Sequence, residues 1–115
     1  MTEFELYDEQ EVLACLLWHP QQHAFELAEI RPEMFRVRVH QQIAHVLCGL
    51  RDSGVRVHWR RVRRILRAAR LFEAAGFIEP MIASIGSSVF VHVPLANLIY
   101  RAAHPATRAA RTEAA

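Results

Sequence analysis

Apolar positions along this chain recur at helical spacing, and the polar residues between them divide it into six short helices. Val12, Leu13, Leu16 and Leu17 form neighbouring i,i+4 rows over a first helix at residues 8–18, with acids in the first turn where the helix dipole favours them. Pro20 opens a second helix over residues 21–30, expected to bury Phe25 and Ala28, and the Arg31-Pro32 step ends it because a residue before proline is pushed out of the α region. Residues 32–35 then form a single turn that drops Phe35 into the core. Val39, Ile43, Val46 and Leu50 make the stripe of a third helix at 37–51, closed by Gly54. A fourth helix at 59–71 turns Val62, Ile65, Leu66 and Ala69 inward. Gly76 is read as a break, with Pro80 near the start of a fifth helix at 78–85. Residues 89–93 read as extended coil packing Phe90 inside. Leu95, Leu98, Ile99 and Ala102 set the inner face of a sixth helix at 95–103. Residues 1–7 and 104–115 lack such a stripe and read as an N-terminal segment and a flexible tail around one domain at 8–103. The fold class expected is all-α, a compact orthogonal bundle of about six short helices.

Composition supports this picture, because Gly and Pro are few and good helix formers dominate the 115 residues. No run of about 18 apolar residues occurs, so no membrane span is expected. The start, Met1-Thr-Glu-Phe-Glu, lacks the basic head of a secretory signal. Cys15 and Cys48 sit within helices without the spacing of a disulfide framework, so a reduced, cytoplasmic protein is expected.

Charge changes the picture more. The net charge is only +2, yet residues 1–35 hold eight acids against Arg31, and residues 36–70 hold ten arginines against Asp52. On the fourth helix Arg60, Arg61, Arg63, Arg64, Arg67 and Arg70 all fall opposite the apolar face, which makes them the candidate partner- or DNA-binding residues. Arginines spaced i,i+3 and i,i+4 repel by about 0.2–0.5 kcal/mol a pair. Candidates for the offset are the acidic segment 3–11, an acidic partner and phosphate, and the alternative is a merely solvated charged face. Trp59 beside this run is read as a core anchor, with base stacking as the alternative.

Candidate chemistry adds little. Cys15 and His19 at i,i+4 with His45 and Cys48 at i,i+3 could be drawn as a zinc site, but the weight falls on ordinary packing, and no metal or cofactor is expected. Ser53, Ser84, Ser87 and Ser88 lack a recognisable base or oxyanion loop, and Glu9 and Glu11 point to different helix faces. His58 and His92 read as loop or surface histidines. No catalytic residue is assigned, and the chain is read as a recognition module, not an enzyme.

Four stretches taken in order, EQEVLACLLWHP (Glu9–Pro20), ELAEIRPEMF (Glu26–Phe35), HQQIAHVLCGLRDSGVRV (His40–Val57) and VPLANLIYRAA (Val93–Ala103), resemble the N-terminal domain of the DnaB-type replicative helicase family. The resemblance covers about residues 8–103. It implies a non-enzymatic interaction module of DNA replication, similar to the helicase collar and contacting primase, loader or helicase. It also implies a monomer or weak homodimer. A small basic DNA-binding protein using the arginine-rich helix is the alternative reading. The chain departs from the family in three respects. The helical hairpin that usually follows helix six is missing, no GxxxxGK[ST] motif occurs, and His58 stands where the family places an acidic helix cap. With arginines replacing the mixed or acidic residues of that helix, the partner surface has changed sign.

Overall fold

In a computed structural model of the chain, which describes residues 2–85 and 92–104, the helices pack around α1 (Glu3–Trp18). Residues 11–17 of α1 are buried on every side, as expected of a helix apolar around its circumference. α1 begins at Glu3, ahead of the expected residue 8, because Thr2 caps it and its Oγ1 accepts from the Glu5 amide at 3.2 Å. After α1 come α2 (Ala24–Glu29), a 3-10 turn (Pro32–Met34), α3 (Arg38–Asp52), α4 (Trp59–Ala68), α5 (Phe72–Ile85) and α6 (His92–Ala103). The described residues are therefore all-helical, with six α-helices. α5, α6, α3 and α2 all pack on α1, and α4 is held by α5 and α3.

α3 follows its stripe. Ile43 and Leu50 are buried with Ala44, Leu47 and Cys48, while Val39 and Val46 pack at the edge of the core. Its C-terminal end is tied to α2 by Arg51, whose Nη1 donates to the carbonyls of Leu27 at 2.9 Å and Ile30 at 2.8 Å. A guanidinium there satisfies acceptors that the end of a short helix leaves open.

Several expectations are corrected. In α2, Phe25 and Ala28 face solvent, and Leu27 and Ile30 turn inward instead. In α4, Ile65 and Ala69 are exposed and only Val62 and Leu66 are buried. In α6, Leu95 and Leu98 are buried but Ile99 and Ala102 are not, and Val93 is helical, not extended. Gly76 and Pro80 lie inside α5, not before it. These two are one turn apart on the solvent side, so the hydrogen bond that Pro80 cannot donate is missing where water reaches the Gly76 carbonyl. Ala74, Ala75, Ile78 and Met81 keep the helix seated. Phe90 and residues 105–115 lie outside the described residues.

α3 and α4 end in the same way, with different residues at the turn. After α3, the Val55 amide donates to the Leu50 carbonyl at 2.9 Å and Gly54 has φ +68°. After α4, the Leu71 amide donates to the Leu66 carbonyl at 2.8 Å, and here Arg70 holds the left-handed conformation with φ +63°. Helix four therefore stops at Ala68, and Arg70 lies beyond it. A Cβ in this conformation costs about 1 kcal/mol relative to glycine. Arg70→Gly should accordingly raise stability by about 1 kcal/mol, and Gly54→Ala should lower it by about as much, both read from urea unfolding midpoints.

Candidate functional site

The segregated faces of α4 fix what it can present. Val62 and Leu66 enter the core, and Trp59 packs at its edge. The arginines opposite divide into two sets. Arg63 ion-pairs with Glu79 of α5 and also lies over the Trp59 ring, 5.1 Å from its centroid. Arg60 covers the same ring at 5.1 Å, and Arg61 donates to the Arg56 carbonyl. By contrast, Arg64, Arg67 and Arg70 are exposed and their guanidinium groups have no hydrogen-bond or ion-pair partner among the described residues. All six candidate residues thus lie along one region of the molecule, with Arg61 and Arg63 partly drawn into the fold.

His58 begins the helix. Its Nδ1 accepts from the Arg60 amide at 3.1 Å, so this nitrogen carries no proton in the capped form. His58 is thus an exposed histidine that serves as the N-cap of α4. Trp59 is the anchor expected, with its ring already occupied by two guanidinium groups. Beside it is a slot of about 200 Å³ whose walls include Trp18, Gln21, Arg56 and His58. With its amide turned so that the oxygen faces Arg56, Gln21 accepts from Arg56 Nε at 2.7 Å and Nη2 at 2.9 Å.

Three acids of α1 are engaged away from α4. Glu5 faces Arg36 at 3.6 Å, and Asp8 faces Arg101 at 3.2 Å and Asn97 at 3.3 Å. Glu9 is buried and turned toward α3. Its Oε1 is 2.8 Å from His40 Nδ1 and accepts from the Val37 amide at 3.3 Å, while Oε2 accepts from the Arg36 amide at 3.0 Å. A carboxylate therefore sits at the positive end of α3, a helix with no side-chain cap of its own. This pair is not evident from the sequence, whose signal is limited to two acids, Glu9 and Glu11, ahead of an apolar run and a histidine beside the stripe of α3.

The zinc arrangement does not assemble. Among the described residues no three His, Cys, Asp or Glu side chains gather as a metal set. Cys15 and Cys48 are buried and not joined in a disulfide, and His45 is exposed. Cys48 Sγ donates to the Ile30 carbonyl at 3.5 Å, and burial pushes its thiol above the ordinary range despite the nearby Arg51. At neutral pH it stays protonated, which makes it a packing residue and a poor nucleophile.

The chain matches no protein-family model, no curated protein and no solved structure. No described helix is long and apolar enough to cross a membrane.

Proposed function

We propose that this chain is a non-enzymatic protein-interaction module of DNA replication, similar to the collar domain of replicative helicases, that contacts primase, loader or helicase through α4. The observation that supports it best is the row of arginines left without counter-charge. α1's Glu5, Asp8 and Glu9 are engaged with Arg36, Arg101 and His40, and Arg64, Arg67 and Arg70 are open to an acidic partner or to phosphate. The ordered resemblance of residues 8–103 to the collar domain favours a protein partner. The test is a pull-down with the primase, loader and helicase of the same organism. Capture of one is expected, weakened about tenfold or more by Arg64→Glu with Arg67→Glu. These two are better probes than Arg63, whose reversal also disturbs Glu79 and Trp59. Capture of none of the three overturns the reading.

The same row supports a second reading, as a basic DNA-binding protein. Arg60, Arg64, Arg67 and Arg70 make no ion pair among the described residues. If all four met phosphates, log affinity for duplex DNA should fall against log salt with a slope of about −4. A flat salt response, or no binding at low salt, removes this reading.

A further inference from the structure

Among the charges without an internal partner, two groups of opposite sign stand beside exposed phenylalanines. Glu26, Glu29 and Glu33, on α2 and the turn after it, have carboxylates without hydrogen-bond or ion-pair partners among the described residues. Phe25 beside them is 82% exposed, and Arg31 is the one cation between them. On α4 and its C-terminal turn, Arg64, Arg67 and Arg70 are equally unpartnered, next to them Phe72 is 64% exposed, and Glu73 is the one acid beside it. α2 packs on α1 and α3, whereas α4 packs on α3 and α5, so the two patches are carried by helices that share α3 as a neighbour.

We infer that the arginine face of α4 docks the acidic, phenylalanine-bearing face of α2 on a second copy of this chain. The inference rests on reading α4 as a protein-docking surface and names a partner for it. Each patch supplies what the other lacks, charge of the opposite sign around an exposed aromatic ring. Phe25 and Phe72 form the apolar centre of the contact, and carboxylates meet guanidinium groups at its rim. A nucleic acid backbone matches the arginines but offers Phe72 no apolar counterpart, and it leaves the α2 patch without a role. The contact joins unlike faces, so it is either made twice, reciprocally about a twofold axis, or repeated head-to-tail into a ring or an open chain. Rim ion pairs of this kind are weak and screened, so assembly should be sensitive to salt.

Sedimentation equilibrium tests this. At about 0.02 M salt, where charges act over about 20 Å, the weight-average mass should climb with protein concentration to about twice the monomer's or more. At about 0.5 M salt, with screening within about 4 Å, the chain should return to its monomer mass of 13.2 kDa. Arg64→Ala with Arg67→Ala should be monomeric at low salt, and so should Glu29→Gln with Glu33→Gln. These are surface changes, and thermal unfolding should show both variants folded. Mixed in equal amounts, the two variants should form a one-to-one dimer and nothing larger, since each retains the face the other has lost. A wild-type chain monomeric at low salt, variants that assemble as wild type does, or a mixture that stays monomeric each overturns the inference. Capture of a replication protein by a chain that never self-associates removes only this inference. Pairing of the mixed variants without any such capture removes only the replication assignment.

Discussion

Replacing Glu9 with alanine is expected to destabilise the fold by about 3–5 kcal/mol, because several buried or part-buried hydrogen-bonding groups lose their acceptor at once. The side chain is fully buried and accepts from the backbone amides of Arg36 and Val37 as well as meeting His40. Alanine leaves two amides and an imidazole without their acceptor where little water can replace it. It also removes the negative group from the positive end of α3. Glu9→Gln keeps the shape and one acceptor oxygen, so a smaller loss of about 1–2 kcal/mol should follow. Making both members apolar, Glu9→Leu with His40→Leu, should recover part of the alanine loss, because two well-packed apolar side chains often replace a buried pair at little cost. Recovery stays incomplete, since the Arg36 and Val37 amides remain without an acceptor. Urea unfolding of the four proteins distinguishes these outcomes. A Glu9→Ala loss below about 1 kcal/mol would mean that the carboxylate is not joined to α3 as described.

How far the sequence could be read depended on how many positions voted on each element's phase. α3 offers four turns of consistent spacing, so its inner face was legible, and so was the fall of Phe35 into the core. α2 has only six residues, and with so few positions the choice between Phe25 and Leu27 as the inward residue is not fixed by periodicity. Gly76 and Pro80 carry strong local signals against helix. In α5 the burial of Ala74, Ala75, Ile78 and Met81 overrides them, and both breakers face water. The end of α4 was misplaced for the opposite reason, since nothing in Arg70 announces a left-handed turn that glycine usually takes. At the candidate site, the segregation of arginine from the apolar face was legible from periodicity alone. Which arginines remain unpartnered was not, because Arg63 meets Glu79 and Arg61 meets the Arg56 carbonyl through tertiary placement. Glu9 was the least legible of all. Its role depends on His40, thirty-one positions further along, and one carboxylate carries no periodic signal.

Phe35→Ala should cost about 3–5 kcal/mol as well, through a different mechanism. The ring is among the largest fully buried side chains, and it follows a 3-10 turn that packs on both α3 and α6. Removing it gives up the transfer free energy of an aromatic side chain and leaves a cavity that its neighbours can only partly fill. The site has little room to collapse, because the backbone is pinned on either side of the ring. The Phe35 amide donates to the Pro32 carbonyl at 3.1 Å, and the Phe35 carbonyl accepts from Gln41 Nε2 at 2.6 Å. A pinned backbone keeps the cavity open, which places the loss toward the upper end of the range. Phe35→Leu retains most of the buried volume and should cost about 1–1.5 kcal/mol. Against a total stability of about 5–15 kcal/mol for a domain of this kind, the alanine variant should unfold at a temperature about 10–20 °C lower, measured by circular dichroism. The Glu9 and Phe35 variants should also differ in their response to salt. Losing Phe35 removes apolar burial alone, so its deficit should be nearly the same at about 0.05 M and 0.5 M salt. Sulfate, which strengthens burial generally, should raise the wild type and the Phe35→Ala variant together without closing the gap between them. A deficit that disappeared in sulfate would mean that the neighbours do collapse into the space, and that the turn before α3 is less firmly held than its hydrogen bonds imply.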